Sequence, residues 1–125
     1  MTDKITKAEF EVMDVLWSES PLAASEIAER LAKNVSWSQR TVKTLLSRLV
    51  EKGAINHEPD GRRFLYRPIL QRETYAQNMT SRLADKLFGG RAAPLVAHLA
   101  EGRGLTESDI KELEALIKDL KRDGR

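Results

Sequence analysis

Cysteine is absent from all 125 residues, which removes disulfides, thiolate metal sites and thiol catalysis together and suits a reducing compartment. Histidine is scarce. His57 and His98 stand far apart with no second ligand at metal-binding spacing, so neither marks a metal site. No apolar run approaches the roughly 20 residues that span a bilayer. Residues 1–20 carry acidic side chains where a signal peptide has an apolar core. A soluble, cytoplasmic protein is expected. Missing too are a nucleophile paired with a base, a glycine-rich phosphate loop and a carboxylate cluster. Gly89-Gly90 and Gly102-Arg103-Gly104 lack the strand-turn-helix setting of a nucleotide site. Neither an enzyme nor a cofactor is expected.

The formal net charge of +2 is small for a nucleic-acid binder until it is divided along the chain. Residues 1–32 hold three cations and seven acids, a balance of −4. Residues 33–67 hold eight cations (Lys33, Arg40, Lys43, Arg48, Lys52, Arg62, Arg63, Arg67) against Glu51, Glu58 and Asp60, a balance of +5. The remainder holds ten cations against nine acids, +1. Positive charge is thus concentrated in one segment, as phosphate contact requires.

That segment begins with WSQRTVKTLLSRLVEKG, Trp37 to Gly53. At 3.6 residues per turn, Val42, Leu45, Leu46, Leu49 and Val50 fall within an arc of about 140°. The rest of the circle carries Arg40, Thr41, Lys43, Thr44, Ser47, Arg48 and Glu51. Ser38 stands at the N-cap, ahead of Gln39 and Arg40, and Gly53 supplies the stop. The spacing predicts a helix over 38–52 that enters a DNA groove. Its basic face alone would equally suit a solvated surface.

The residues after Gly53 favour the groove. Two short runs with β-branched and aromatic residues, Ala54 to Glu58 and Phe64 to Pro68, flank Pro59-Asp60-Gly61-Arg62, and Asp-Gly in that setting is a hairpin signal. Arg62 and Arg63 lie at its tip, with Arg67 on the returning strand. A helix followed directly by an arginine-tipped hairpin is the arrangement of a winged helix-turn-helix domain. Arg40 and Lys43 would reach guanine O6 and N7 or phosphates. Thr41 and Thr44 would donate to either and offer a methyl to thymine, Arg48 and Lys52 would hold phosphates, and Arg62 and Arg63 would grip the backbone or minor groove.

Upstream, Thr6-Lys7-Ala8-Glu9 has capping-box spacing, and a helix is expected over Lys7 to Ser18 with Phe10, Val12, Met13, Leu16 and Trp17 apolar. Ser20-Pro21 breaks it, and Ala24 to Ala32 forms a second helix with Ile27, Ala28 and Leu31 inward. Trp37 is expected to plug the core beside the turn at Asn34-Val35-Ser36. Beyond Pro68 come helices without a basic face. Glu73 to Phe88 places Tyr75, Met79, Leu83 and Leu87 in helical register, and Pro94 to Ala100 carries Leu95, Val96 and Leu99. A capped helix from Thr106 then repeats Ile110, Leu113, Leu116, Ile117 and Leu120 at three-four spacing. The expected organisation is mainly α: a winged helix-turn-helix domain, 1–70, and a helical dimerisation region, 71–125, whose stripes are covered by a second copy. Pairing would set two recognition helices about one DNA turn apart or a multiple of it. A winged-helix protein–protein adaptor is the rival, but eight cations around a groove-sized helix argue against it.

With TKAEFEVMDVLW, SPLAASEIAERL, WSQRTVKTLLSRLVEKGAI, DGRRFLYRP, KLFGG and LVAHLAE, the chain resembles the penicillinase-repressor (BlaI/MecI/CopY) family of bacterial transcription regulators, from about Ile5 to Leu120. The resemblance implies a homodimeric winged-helix repressor on a palindromic operator. Arg40, Thr41, Lys43 and Thr44 would lie on the recognition helix, and Arg62 and Arg63 on the wing. For the β-lactam branch of the family it also implies inactivation by a protease partner, triggered by a membrane sensor and cutting an Asn-Phe bond in the C-terminal part. Here the aligned pair is His98-Leu99, a departure that puts cleavage there in doubt. The copper branch senses metal through cysteines, which this chain lacks.

Overall fold

A computed structural model describes residues 4–124. Residues 1–3 and 125, included in the expected domain boundaries, lie outside the described residues. The chain divides into two compact units that meet between Ala76 and Gln77.

In the first unit, α1 (Lys7–Ser18), α2 (Ala24–Leu31) and α3 (Gln39–Glu51) surround one apolar core. Each helix starts where side-chain chemistry satisfies free backbone donors. At α1, Thr6 Oγ1 accepts from Glu9 N–H at 3.1 Å while Glu9 Oε1 accepts from Thr6 N–H at 2.9 Å, a reciprocal capping box. At α2, Glu26 Oε1 accepts from Ala23 N–H at 2.8 Å. At α3, Ser38 Oγ accepts from Thr41 N–H at 3.1 Å. The stop after α3 is Gly53 at φ +77°, a conformation that residues with a Cβ rarely adopt. Val12, Met13, Leu16, Ile27, Val42, Leu46, Leu49 and Ile55 are fully buried.

Three antiparallel strands close one side in the order β1 (Leu22–Ala23), β3 (Arg63–Pro68), β2 (Ile55–Asp60). Two details differ from expectation. The hairpin strands run two residues further on one side and one on the other, and the loop is Gly61-Arg62, with Gly61 at φ +66° and Asp60 paired to Arg63. Pro59 therefore sits within β2. It is tolerated because β2 is an edge strand with no ladder partner on its outer side. The second difference is β1 itself, which has no counterpart in the sequence reading because two residues are too few to display a period.

Tyr75 corrects an expectation. Its spacing assigns it to the dimer stripe, yet its ring packs within the first unit against Phe10 (5.6 Å between centroids) and Trp17 (5.5 Å). Trp17 Nε1 donates to the Leu70 carbonyl at 2.8 Å, and Arg72 lies over its ring and reaches Asp14 at 2.9 Å. Aromatic burial on α1 claims the first turn of α4 (Arg72–Phe88).

The second unit comprises the rest of α4, α5 (Ala92–Gly102) and α6 (Glu107–Arg122). The α5 helix is longer than the Pro94–Ala100 expected, because Pro94 occupies its first turn, where no amide donor is needed. Thr106 and Asp109 form the capping box of α6. Neither α5 nor α6 has a fully buried residue. Met79, Leu83 and Leu87 on α4, Val96 and Leu99 on α5, and Ile110, Leu116, Ile117 and Leu120 on α6 are exposed, while Leu95 and Leu113 are half-buried. Among the described residues no helix is long and apolar enough to cross a membrane.

Candidate nucleic-acid interface

The buried stripe of α3, Val42, Leu45, Leu46 and Leu49, fixes which side chains face away from the core. At 100° per residue, Arg40, Thr44 and Ser47 stand opposite it. Gln39 and Lys43 lie on one flank, and Thr41 and Arg48 on the other. Arg40, Lys43 and Arg48 are exposed, and none of their side chains is hydrogen-bonded or ion-paired to a described residue. Three uncompensated cations on one short helix create a strong local preference for anions. Glu51 is also exposed at the C-terminal end, so the N-terminal half, with its free amides and Arg40, is the more favourable for phosphate or base contact.

The hydroxyls are partly committed. Thr44 Oγ1–H donates to the Arg40 carbonyl at 3.1 Å, leaving its oxygen as an acceptor and its methyl free. Ser38 and Thr41 hydroxyls lie 3.1 Å apart and share one hydrogen bond, with the Ser38 oxygen also capping the helix.

Lys52 is a second correction. Its ammonium is bonded inward, to Glu9 Oε1 at 2.5 Å and to the Lys4 carbonyl at 2.8 Å, rather than standing free for phosphate. Glu9 is only 1% exposed. Burial alone would favour its neutral acid. The hydrogen bond from Lys52, the Thr6 N–H and the Lys52 charge outweigh that and hold its carboxyl below the ordinary value. Its Oε2 is buried without a partner among the described residues. Sequence alone carries no signal for this pair, because the two residues are 43 positions apart and each already has a local explanation.

On the wing the arginines are unequal. Arg63 pairs with Asp60 at 3.2 Å and approaches Glu26 at 3.9 Å, and Arg67 pairs with Glu58 at 3.1 Å. Arg62, at the tip, makes no hydrogen bond or ion pair with a described residue and is exposed. Between the wing, α3 and the start of α2 runs a groove of about 290 Å³ lined by Ser25, Gln39, Lys43, Arg62, Phe64 and Tyr66, among others. No group of three or more His, Cys, Asp or Glu among the described residues could hold a metal ion.

A three-helix core that presents a basic third helix beside an arginine-tipped hairpin defines a winged helix-turn-helix DNA-binding module. The chain matches the family model described as penicillinase repressor over residues 5–119 and belongs to that family. It is 32% identical over 118 residues to the penicillinase repressor of Bacillus licheniformis, covering 94% of this chain and 92% of that protein. It is 28% identical over 116 residues to the methicillin resistance regulatory protein MecI of Staphylococcus aureus strain N315, covering 93% and 94%. The solution structure of the DNA-binding domain of the repressor BlaI superposes with a TM-score of 0.54 at 40% identity, covering 60% of this chain and 94% of that one. The monomeric form of Bacillus licheniformis BlaI in complex with the blaP half-operator superposes with a TM-score of 0.52 at 40% identity, covering 60% and 92%. The protein is a DNA-binding winged-helix repressor and not an enzyme.

Proposed function

We propose that the protein is a homodimeric transcriptional repressor that acts in the cytoplasm on a palindromic operator. The α3 helix of each copy enters the major groove, and the wing rests on the flanking backbone or minor groove. The observation that carries this reading is the pairing of unpartnered Arg40, Lys43 and Arg48 on α3 with an unpartnered Arg62 at the wing tip. Arg40 and Lys43 are the base-reading candidates, with Gln39, Thr41 and Thr44 beside them, while Arg48, Arg62 and Arg63 serve phosphates. Ser38 contributes as the cap that aims the helix.

Two copies are favoured by the apolar side chains that α4, α5 and α6 leave in water, Leu83, Leu87, Leu99, Leu116 and Ile117 among them. The relative described as a monomeric form with a half-operator supports one unit per half-site. Release from DNA requires a signal. A protease that cut at His98–Leu99 would have to open α5, where His98 packs on Phe88 at 5.0 Å.

The test is a mobility-shift titration of the purified chain against DNA from its own upstream region, with a scrambled duplex as competitor and light scattering for size. Tight, competitor-resistant binding by a dimer is expected. Weak binding abolished equally by scrambled DNA, or a monomer at every concentration, would overturn the operator and dimer readings respectively.

A further inference from the structure

The groove bordered by the wing, α3 and the start of α2 has a lining of two kinds. Part of it is apolar: Ala23 is buried, Ala24 is half-buried and the Phe64 ring is 45% exposed. His57 holds that ring edge-on at 4.7 Å and packs against Tyr66 at 5.6 Å. A braced, solvent-exposed ring gives up little freedom when a planar apolar group covers it.

The rest of the lining is polar and uncommitted. The Lys43 ammonium and the Arg62 guanidinium have no partner among the described residues, and neither do the Gln39 amide and the Ser25 and Tyr66 hydroxyls. Burial raises the Tyr66 pKa, so at neutral pH the hydroxyl keeps its proton and can donate. Arg63 also borders the groove but is engaged by Asp60. No carboxylate lines the groove among the described residues, so its positive potential is not offset there. An apolar surface with a few convergent, unsatisfied polar groups is the composition of a small-molecule site. The volume of about 290 Å³ lies near the lower end of the roughly 300 to 1,000 Å³ that such sites span, room for one substituted ring rather than for a peptide.

We propose that this groove binds a small aromatic carboxylate, its ring on Phe64 and its carboxylate held by Lys43 and Arg62, and that occupancy releases the protein from DNA. The proposal rests on the DNA-binding reading and supplies it with a releasing signal. Charge complementarity sets the carboxylate, because a neutral or cationic ligand would leave the ammonium and the guanidinium uncompensated. The exposed ring sets the aromatic part, since an inorganic anion would leave Phe64 in water. Competition follows from shared groups: the two cations that would hold the carboxylate are those offered to DNA, so each ligand weakens the other.

The experiment uses benzoate as the probe, with acetate supplying charge without a ring and benzamide a ring without charge. Proton–nitrogen correlation NMR of the full chain should show saturable benzoate shifts at Ser25, Lys43 and Phe64, with acetate and benzamide each at least about tenfold weaker. Fluorescence anisotropy with a labelled upstream duplex follows, at constant ionic strength with chloride replacing benzoate. Affinity for the duplex should fall about tenfold when benzoate stands at roughly ten times its dissociation constant. Phe64→Ala should abolish the shifts and leave a duplex complex insensitive to benzoate. Tyr66→Phe, which removes only the hydroxyl, should weaken benzoate binding roughly 3- to 10-fold. Thermal unfolding of each variant separates a lost contact from a lost fold. Benzoate binding no tighter than acetate, or shifts unaltered in both variants, would overturn the site while duplex binding stands. Saturable shifts without competition would overturn the releasing role. A chain that takes up benzoate in the groove yet binds no duplex would overturn the DNA-binding reading and the release with it, but not the site.

Discussion

The two units of this chain use the same apolar periodicity to different ends. In residues 4–76, helical stripes converge on one core, and every buried apolar side chain among the described residues except Ala84 belongs to that unit. In residues 77–124 the stripes are equally regular, yet Leu116 and Ile117 remain 52% and 51% exposed. Amphipathic patterning thus specifies a face that must be covered, but not by what. Three helices meeting face to face cover one another. The remainder of α4 and two more helices, joined at glycine turns, leave apolar side chains such as Leu87, Leu116 and Ile117 exposed, the surface that the proposed second copy would cover. The first unit closes a core of its own and leaves Arg40, Lys43 and Arg48 exposed, whereas the second leaves most of its stripe residues exposed.

The sharpest way to break this contrast is to make the same change in each unit. Leu46→Ala empties a fully buried site and should cost about 3 to 5 kcal/mol in denaturant unfolding, independent of protein concentration. A concentration-dependent loss would mean that even the first unit depends on a partner. Next in size, Lys52→Ala strands the buried Glu9 carboxylate and should cost about 3 kcal/mol. It should leave the salt slope of DNA binding unchanged, because the ammonium is not offered to phosphate. A slope reduced by about one would restore Lys52 to the interface.

The same pair predicts a pH dependence. The folded Glu9 pKa lies below its ordinary value of 4.5, so the unfolded chain binds the proton more readily than the folded one. The stability it contributes is fully present above about pH 4.5 and is lost as pH falls through the lower folded value. Glu9→Gln should flatten that part of the acid unfolding profile.

Legibility follows range. Caps at Thr6, Ser38 and Thr106 and the stop at Gly53 are readable because the partners lie within four residues, and the recognition helix is readable because one period spans it. The hairpin is located by Asp60-Gly61, but its loop lies one residue later, since the glycine needed at positive φ takes the first loop position rather than the second. Tyr75 fits a stripe by spacing, and only the third dimension brings Phe10 and Trp17 to it. Charge counting marks eight cations between residues 33 and 67 as equivalent, whereas the fold engages Lys52, Arg63 and Arg67 internally. Counting marks a segment, and pairing decides which of its members are free.

Two smaller effects sharpen the contrast between the units. Lys43→Ala should weaken operator binding by about 1 to 3 kcal/mol if the ammonium reads a base, and the loss on scrambled DNA should be smaller. Equal losses would leave it as a phosphate contact. Leu116→Ala should leave the unfolding of the first unit unchanged and weaken association by about 1 kcal/mol, since only the exposed half of the side chain remains to be covered. Sedimentation equilibrium reads this directly, and unaltered association would remove Leu116 from the interface.

The smallest predicted difference lies within the wing. Arg62 is unpartnered and Arg67 is held by Glu58, so binding a phosphate costs Arg67 an existing ion pair and costs Arg62 nothing comparable. That pair is exposed, and exposed pairs contribute about 0 to 1 kcal/mol. Arg62→Ala should therefore weaken DNA binding more than Arg67→Ala, by a margin no larger than that. Glu58→Gln supplies the control, because it frees Arg67 without adding a cation to the hairpin. If pairing is what silences Arg67, affinity should rise in Glu58→Gln and the Arg67→Ala penalty should grow when measured in that background. An unchanged penalty would mean that distance from the DNA, rather than the pairing, separates the two arginines.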